Sequence, residues 1–175
     1  RPRFALKRAV RSDGVDATDM LGATDSKLVG PERLREPQLR GLAEPFSLTL
    51  DFGELPVSEP LVLVLNGWLR FGGGMANIAG SLDPNLPFPF PTIEAELPDG
   101  AWQQVPVDVG VPAGKTKTIL VDLENKLPAG AQRLRLAMAF ELYWDSALLC
   151  VKTSAQENGV ATLRPNRSDL RWRGF

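Results

Sequence analysis

Phe46-Ser47-Leu48-Thr49-Leu50-Asp51-Phe52 alternates without a break, the apolar residues at every second position and Ser47, Thr49 and Asp51 between them. In an extended chain successive side chains point to opposite faces, so this stretch reads as a strand with one face in a core and the other in water. The same pattern recurs along the chain. Ile93, Ala95 and Leu97 alternate with Thr92, Glu94 and Glu96, then Pro98-Asp99-Gly100 turns the chain and Trp102 to Val109 returns as a hairpin partner. Arg133 to Glu141 sets Leu134, Leu136, Met138 and Phe140 inward, with Arg133, Arg135 and Glu141 outward. Leu61 to Leu65 is continuously apolar and reads as a strand near a sheet centre, buried on both faces. Lys117 to Leu123 is a further strand between the turns Pro112-Ala113-Gly114 and Leu127-Pro128-Ala129-Gly130.

The turn residues support the same reading. Sixteen glycines and fifteen prolines are spread along 175 residues, as punctuation between many short elements. The expectation is an all-β chain, a single β-sandwich over residues 1–175, jelly-roll-like, with Leu48, Leu63, Ile119, Val121, Leu136 and Met138 in its core. Pro31 to Arg40 offers a helical turn or two, cut short by Pro37. Phe71 to Pro91 is different, with Gly72-Gly73-Gly74 and Pro84, Pro87, Pro89 and Pro91. It is too long for a hairpin turn and too rich in proline for a helix. It reads either as a functional loop or as a packed excursion pinned by Phe88 and Phe90.

Composition removes several chemistries. The chain has no histidine and one cysteine, Cys150, so it holds no Ser-His-Asp or Cys-His arrangement, no imidazole switch and no intrachain disulfide. Cys150 itself reads as a small core hydrophobe after Ala147, Leu148 and Leu149. Twenty basic and twenty-one acidic residues leave a net charge of −1, which offers nothing to hold the phosphates of a nucleic acid. No apolar run is long enough to span a membrane as a helix. The start, Arg1-Pro2-Arg3, is expected to be a cut from a larger protein.

Three groups of residues invite a site. Asp13, Asp16, Asp19 and Asp25 lie in a glycine-containing stretch, the kind of oxygen-rich loop that holds calcium, although the EF-hand spacing is not met and solvated turn residues are the alternative. Glu141, Tyr143 and Asp145 alternate, so all three are expected to point the same way; pairing with nearby arginines is favoured over acid–base work on a glycoside. Of the four tryptophans, Trp68 and Trp144 are expected in the core, and Trp102 and Trp172 at the surface, where an indole stacks on a sugar or anchors an interface. Arg171-Trp172-Arg173 is a docking edge on composition, with Leu170, Trp172 and Gly174 expected on one face.

Gly67-Trp68, the stretch Pro112-Ala113-Gly114-Lys115-Thr116-Lys117-Thr118 running to Val121-Asp122-Leu123, the triplet Tyr143-Trp144-Asp145, and the closing Asp169-Leu170-Arg171-Trp172-Arg173-Gly174-Phe175 together resemble a C-terminal domain of large bacterial tetratricopeptide-repeat proteins linked with FG-GAP and ASPIC/UnbV-type modules. The resemblance runs from about Phe4 to Phe175 and departs from the pattern in Phe71 to Phe90. It implies an accessory domain beside repeat modules, outside the cytoplasm, and transfers no catalytic residue. The functional expectation is a non-enzymatic assembly domain without a cofactor, whose partner is a protein or neighbouring repeats. Alternatives are a carbohydrate-binding module, with Trp102, Trp172, Phe88 and Phe90 as contacts, and an Asp/Glu-dependent glycosidase.

Overall fold

The computed structural model describes residues 3–35, 39–74, 78, 81, 82, 84, 90–152, 166, 167, 169, 171 and 172. The strands are β1 (Arg3–Phe4), β2 (Arg8–Arg11), β3 (Leu42–Asp51), β4 (Leu61–Leu69), β5 (Thr92–Glu96), β6 (Trp102–Gln104), β7 (Lys117–Asp122), β8 (Leu134–Phe140) and β9 (Leu142–Val151); a helix, α1, spans Thr18–Leu21. They form two antiparallel sheets, one in the order β1-β9-β4-β7 and one in the order β2-β3-β8-β5-β6. The chain is an all-β sandwich.

The core is what the alternation dictates. Leu48 and Leu50 from β3, Leu61, Leu63 and Leu65 from β4, and Leu134, Leu136 and Met138 from β8 are all buried between the sheets. Val121 is buried and Ile119 half-buried, because β7 is a sheet edge with a strand on one side only. β3 slips register against β8 between Leu42 and Phe46, where Pro45, lacking an N–H, cannot complete a ladder.

β4 is central, as expected, but buried on one face only. Val62 and Val64 lie half-buried on the outer face, beside Cys150 and Leu148 of β9 and Asp122 and Leu120 of β7. The run looked doubly buried because valine is apolar on whichever face it falls. Cys150 shares that outer face and is half-buried, not a core residue. Two other local expectations are corrected. Leu34 pairs with Ala43 in an antiparallel bridge, so Pro31 to Arg35 is extended rather than helical, while 36–38 lie outside the described residues. Conversely Gly74, Ile78, Ser81 and Leu82 are helical: the prolines that argued against a helix begin only at Pro84.

Candidate functional site

Glu141 is where the chain leaves one sheet for the other. β8 ends one residue before it and β9 begins one residue after. Its N–H donates to the Gly41 carbonyl at 2.9 Å, and its carbonyl accepts the Arg70 N–H at 3.1 Å, so its backbone bridges the ends of β3 and β4. Two glycines make room there: a Cβ on Gly41, whose φ is +84°, would sit 2.6 Å from the main-chain N of Gly72. This corner position buries the carboxylate at 1% exposure, against the outward placement that simple alternation implied. Oε1 accepts from Tyr143 Oη at 2.9 Å and Arg70 Nη1 at 3.3 Å. Oε2 is buried with no hydrogen-bond partner among the described residues. Tyr143 stacks on Trp68, directly across from it in the neighbouring strand, with centroids 5.4 Å apart. Trp68 is thus a half-buried outer-face residue and not core.

Asp145 does not share this face. The pairing of β9 with β4 shifts between Asn66 and Gly67, leaving Asp145 as the extra residue of a bulge. The shift turns Trp144 inward against Gly67, where a Cβ would lie 2.6 Å from the indole. Asp145 is buried and accepts the main-chain N–H groups of Asp25 at 3.1 Å and Ser26 at 2.7 Å, while Ser146 meets the Thr24 hydroxyl at 2.8 Å. It pins a turn in which Ser26 holds a φ of +68°. The two carboxylates therefore belong to separate local structures.

The second sheet carries an ion-pair ladder on its outer face. Glu96 pairs with Arg133, and Glu94 with Arg135 at 2.6 Å. The Arg135 guanidinium lies 4.2 Å above the ring centroid of Trp102, so this indole is half-buried and one face is taken by a cation. The aspartates of the first turn are engaged locally. Asp13 accepts Nε and Nη2 of the Arg11 guanidinium, at 2.9 and 2.7 Å, which holds its carboxyl down at about 2. Asp16 accepts the Thr18 hydroxyl at 2.5 Å and N–H at 2.9 Å at the start of α1, which also lowers its pKa. Asp19 lines a shallow cleft with Lys7, Arg8, Asp16, Thr18 and Met20. Among the described residues no three potential metal ligands converge.

Trp172 is 85% exposed, which removes core packing as its role, and Arg171 pairs with Asp169 beside it. Arg173, Phe88, Leu170 and Gly174 lie outside the described residues. Phe90 is exposed and touches Phe140 edge-on, centroids 5.4 Å apart.

No protein-family model, curated protein or solved structure matches the chain.

The sequence reading missed Arg70 and the stacking of Trp68 on Tyr143. A signal existed for the stack: the parity that sends Leu61, Leu63 and Leu65 inward sends Trp68 outward.

The Glu96–Arg133 pair sets a pH expectation. Hydrogen bonding to Arg133 lowers the Glu96 carboxyl below its ordinary 4.5, so the folded state prefers the carboxylate more than the unfolded chain does. That contribution is complete above pH 4.5 and is lost as pH falls through the depressed folded value. Tm measured downward from pH 5 is expected to fall more steeply for the wild type than for Glu96→Gln, by a few degrees; parallel curves would show that the pair is energetically silent.

Proposed function

We propose that the chain is a non-catalytic docking module, an accessory domain that assembles with a protein partner or with repeats beside it. The observation that carries this reading is a concentration of exposed apolar side chains in one excursion between β4 and β5. Phe71 is 68%, Ile78 53%, Leu82 77% and Phe90 60% exposed. Ile78 and Leu82 are both helical. Large apolar groups in water mark a surface that another surface covers. Phe90 packs edge-on against Phe140 at the end of β8.

The buried carboxylates support a role without chemistry, since Glu141 serves a chain crossing and Asp145 a turn. In this reading the module needs no cofactor. The passage of consecutive strands from sheet to sheet, at β1–β2, β3–β4, β4–β5, β6–β7, β7–β8 and β8–β9, supports taking the sandwich as a jelly roll. Trp172 is the aromatic that keeps a carbohydrate-binding reading in play, because its ring is open to solvent.

The chain carrying Ile78→Glu and Leu82→Glu is expected to keep its Tm within a few degrees while losing a partner captured by the wild type and most of its binding of a hydrophobic dye. Trp172→Ala is likewise expected to leave Tm unchanged. Glycan-array binding abolished by Trp172→Ala would move the assignment to carbohydrate recognition. Turnover of a chromogenic glycoside, lost in Glu141→Gln or Asp145→Asn, would overturn the non-enzymatic reading altogether.

A further inference from the structure

The two sheets have four edges, and three of them are blunted. β1 is two residues long, and beyond it Val29 pairs with Trp144 of β9. The edge of β2 is covered by the segment leading into α1: Val10 bridges to Asp16, and Ala9 exchanges bonds with Thr18 Oγ1 and Ala17 N. β6 is three residues long. β7 is six residues long and pairs only with β4 among the described strands. Long open edges of this kind are templates for another strand.

Which main-chain groups face outward follows from the ladder. Leu123 N–H donates to Leu61 C=O at 2.9 Å, so the odd-numbered residues of β7 bond to β4. The N–H and C=O groups of Thr118, Leu120 and Asp122 then point to the open edge. Their side chains lie on the outer face of the sheet, opposite Asn66, Val64 and Val62. Leu120, in the middle, is 68% exposed at the end of an apolar row that runs Leu148–Val64–Leu120 across three strands.

We propose that β7 pairs antiparallel with β7 of a second copy, about a twofold axis at Leu120, which joins the two four-stranded sheets into one. An axis perpendicular to the sheet keeps outer faces together, so even-numbered residues meet even-numbered ones. Leu120 then opposes Leu120 of the second copy, and Thr118 opposes its Asp122. Each pair exchanges both main-chain bonds, and each exposed leucine covers the other. Charge selects the antiparallel partner. β7 is basic where it begins, at Lys115 and Lys117, and acidic where it ends, at Asp122 and Glu124, with Lys152 offsetting one of the two carboxylates. Antiparallel pairing brings the basic end of one strand alongside the acidic end of the other, whereas parallel pairing would set like beside like. Lys117 is odd-numbered and projects from the face opposite Asp122, so the attraction is between strand ends and not between paired side chains. Thr118 Oγ1 already accepts the Asn66 amide at 3.0 Å, so its hydroxyl hydrogen is available to the facing Asp122 carboxylate.

Sedimentation analysis of the full chain over a concentration series is expected to show a dimer at about 100 μM, with Leu120→Lys monomeric and unchanged in circular dichroism and Tm. Directly opposed residues of a bonded pair have Cα atoms about 5.5 Å apart, within disulfide reach. Leu120→Cys in a Cys150→Ala background is therefore expected to cross-link into dimers on oxidation, and Asn125→Cys in the same background is not. A wild type monomeric throughout, a dimer indifferent to Leu120→Lys, or a dimer that fails to cross-link at position 120 would each overturn the pairing.

Discussion

Trp144→Ala is expected to cost about 3–5 kcal/mol and to lower Tm by roughly 10 °C or more. Trp144 is the largest of the fully buried side chains, at 1% exposure. It sits where β9 bulges, with its ring against Gly67 and its Nε1 directed at Met138 Sδ, 3.2 Å away. Its backbone binds Val29 in both directions, at 2.9 and 2.8 Å, so loss of the indole also loosens the segment that extends the sheet edge. Trp144→Phe keeps much of the apolar area and gives up only a weak bond to sulfur, so its cost is expected to be under half that of alanine. Gly67→Ala attacks the same contact from the other side: a new Cβ would lie 2.6 Å from both the indole and the Tyr143 carbonyl and must displace both. Urea denaturation of the three variants checks the set; a Trp144→Ala loss near 1 kcal/mol would show that the ring is not a core element.

Arg70→Met should cost about 2–3 kcal/mol, more than an exposed arginine ordinarily carries. It leaves the Glu141 carboxylate at the corner of the sandwich with its tyrosine hydroxyl but without its cation. Arg70 is a third exposed, so water softens the loss, but Glu141 is sealed at 1% and has one oxygen already without a bond among the described residues. Glu141→Gln removes the charge while keeping the shape. In the Arg70→Met background it is expected to restore much of the stability, giving a coupling energy of 1 kcal/mol or more in a double-mutant cycle. Additive losses would mean that the carboxylate and guanidinium are held for unrelated reasons.

Strands such as β3, β4 and β8 were legible because one face of each is buried, and that imposes period two on the residues. Leu48 and Leu50, or Leu134, Leu136 and Met138, announce their sheet face without reference to anything distant. What alternation leaves out is where a sheet stops. Glu141 continues the inside–outside rhythm of β8 in the sequence, but the chain there is crossing between sheets, and a corner buries what a strand would expose. Asp145 fails for a related reason. Counting back from Ala147 and Leu149, Trp144 should face water; one extra residue in the ladder returns it to the core, and only the partner strand shows that residue to be extra. The apolar surroundings of Trp68 outweighed its parity, which had it right. Trp102 was expected to be exposed and is half-buried, because its ring face is occupied by Arg135, a residue more than thirty positions away.

The pairing of β4 with β9 also has a meaning in time. During synthesis the chain emerges from its N-terminal end at about 5–20 residues per second, and β9 follows β4 by about 70 residues. For roughly 4–14 seconds the apolar run Leu61–Leu65 is outside the ribosome with neither neighbour, then with β7 alone. Only with Leu142 to Val151 does the first sheet gain the strand that joins β1, the first of the described strands, to β4. The sandwich is therefore closed from the last of its described strands. A truncated or stalled chain that stops short of Leu142 would display its central strand to whatever chaperone or like segment is nearby.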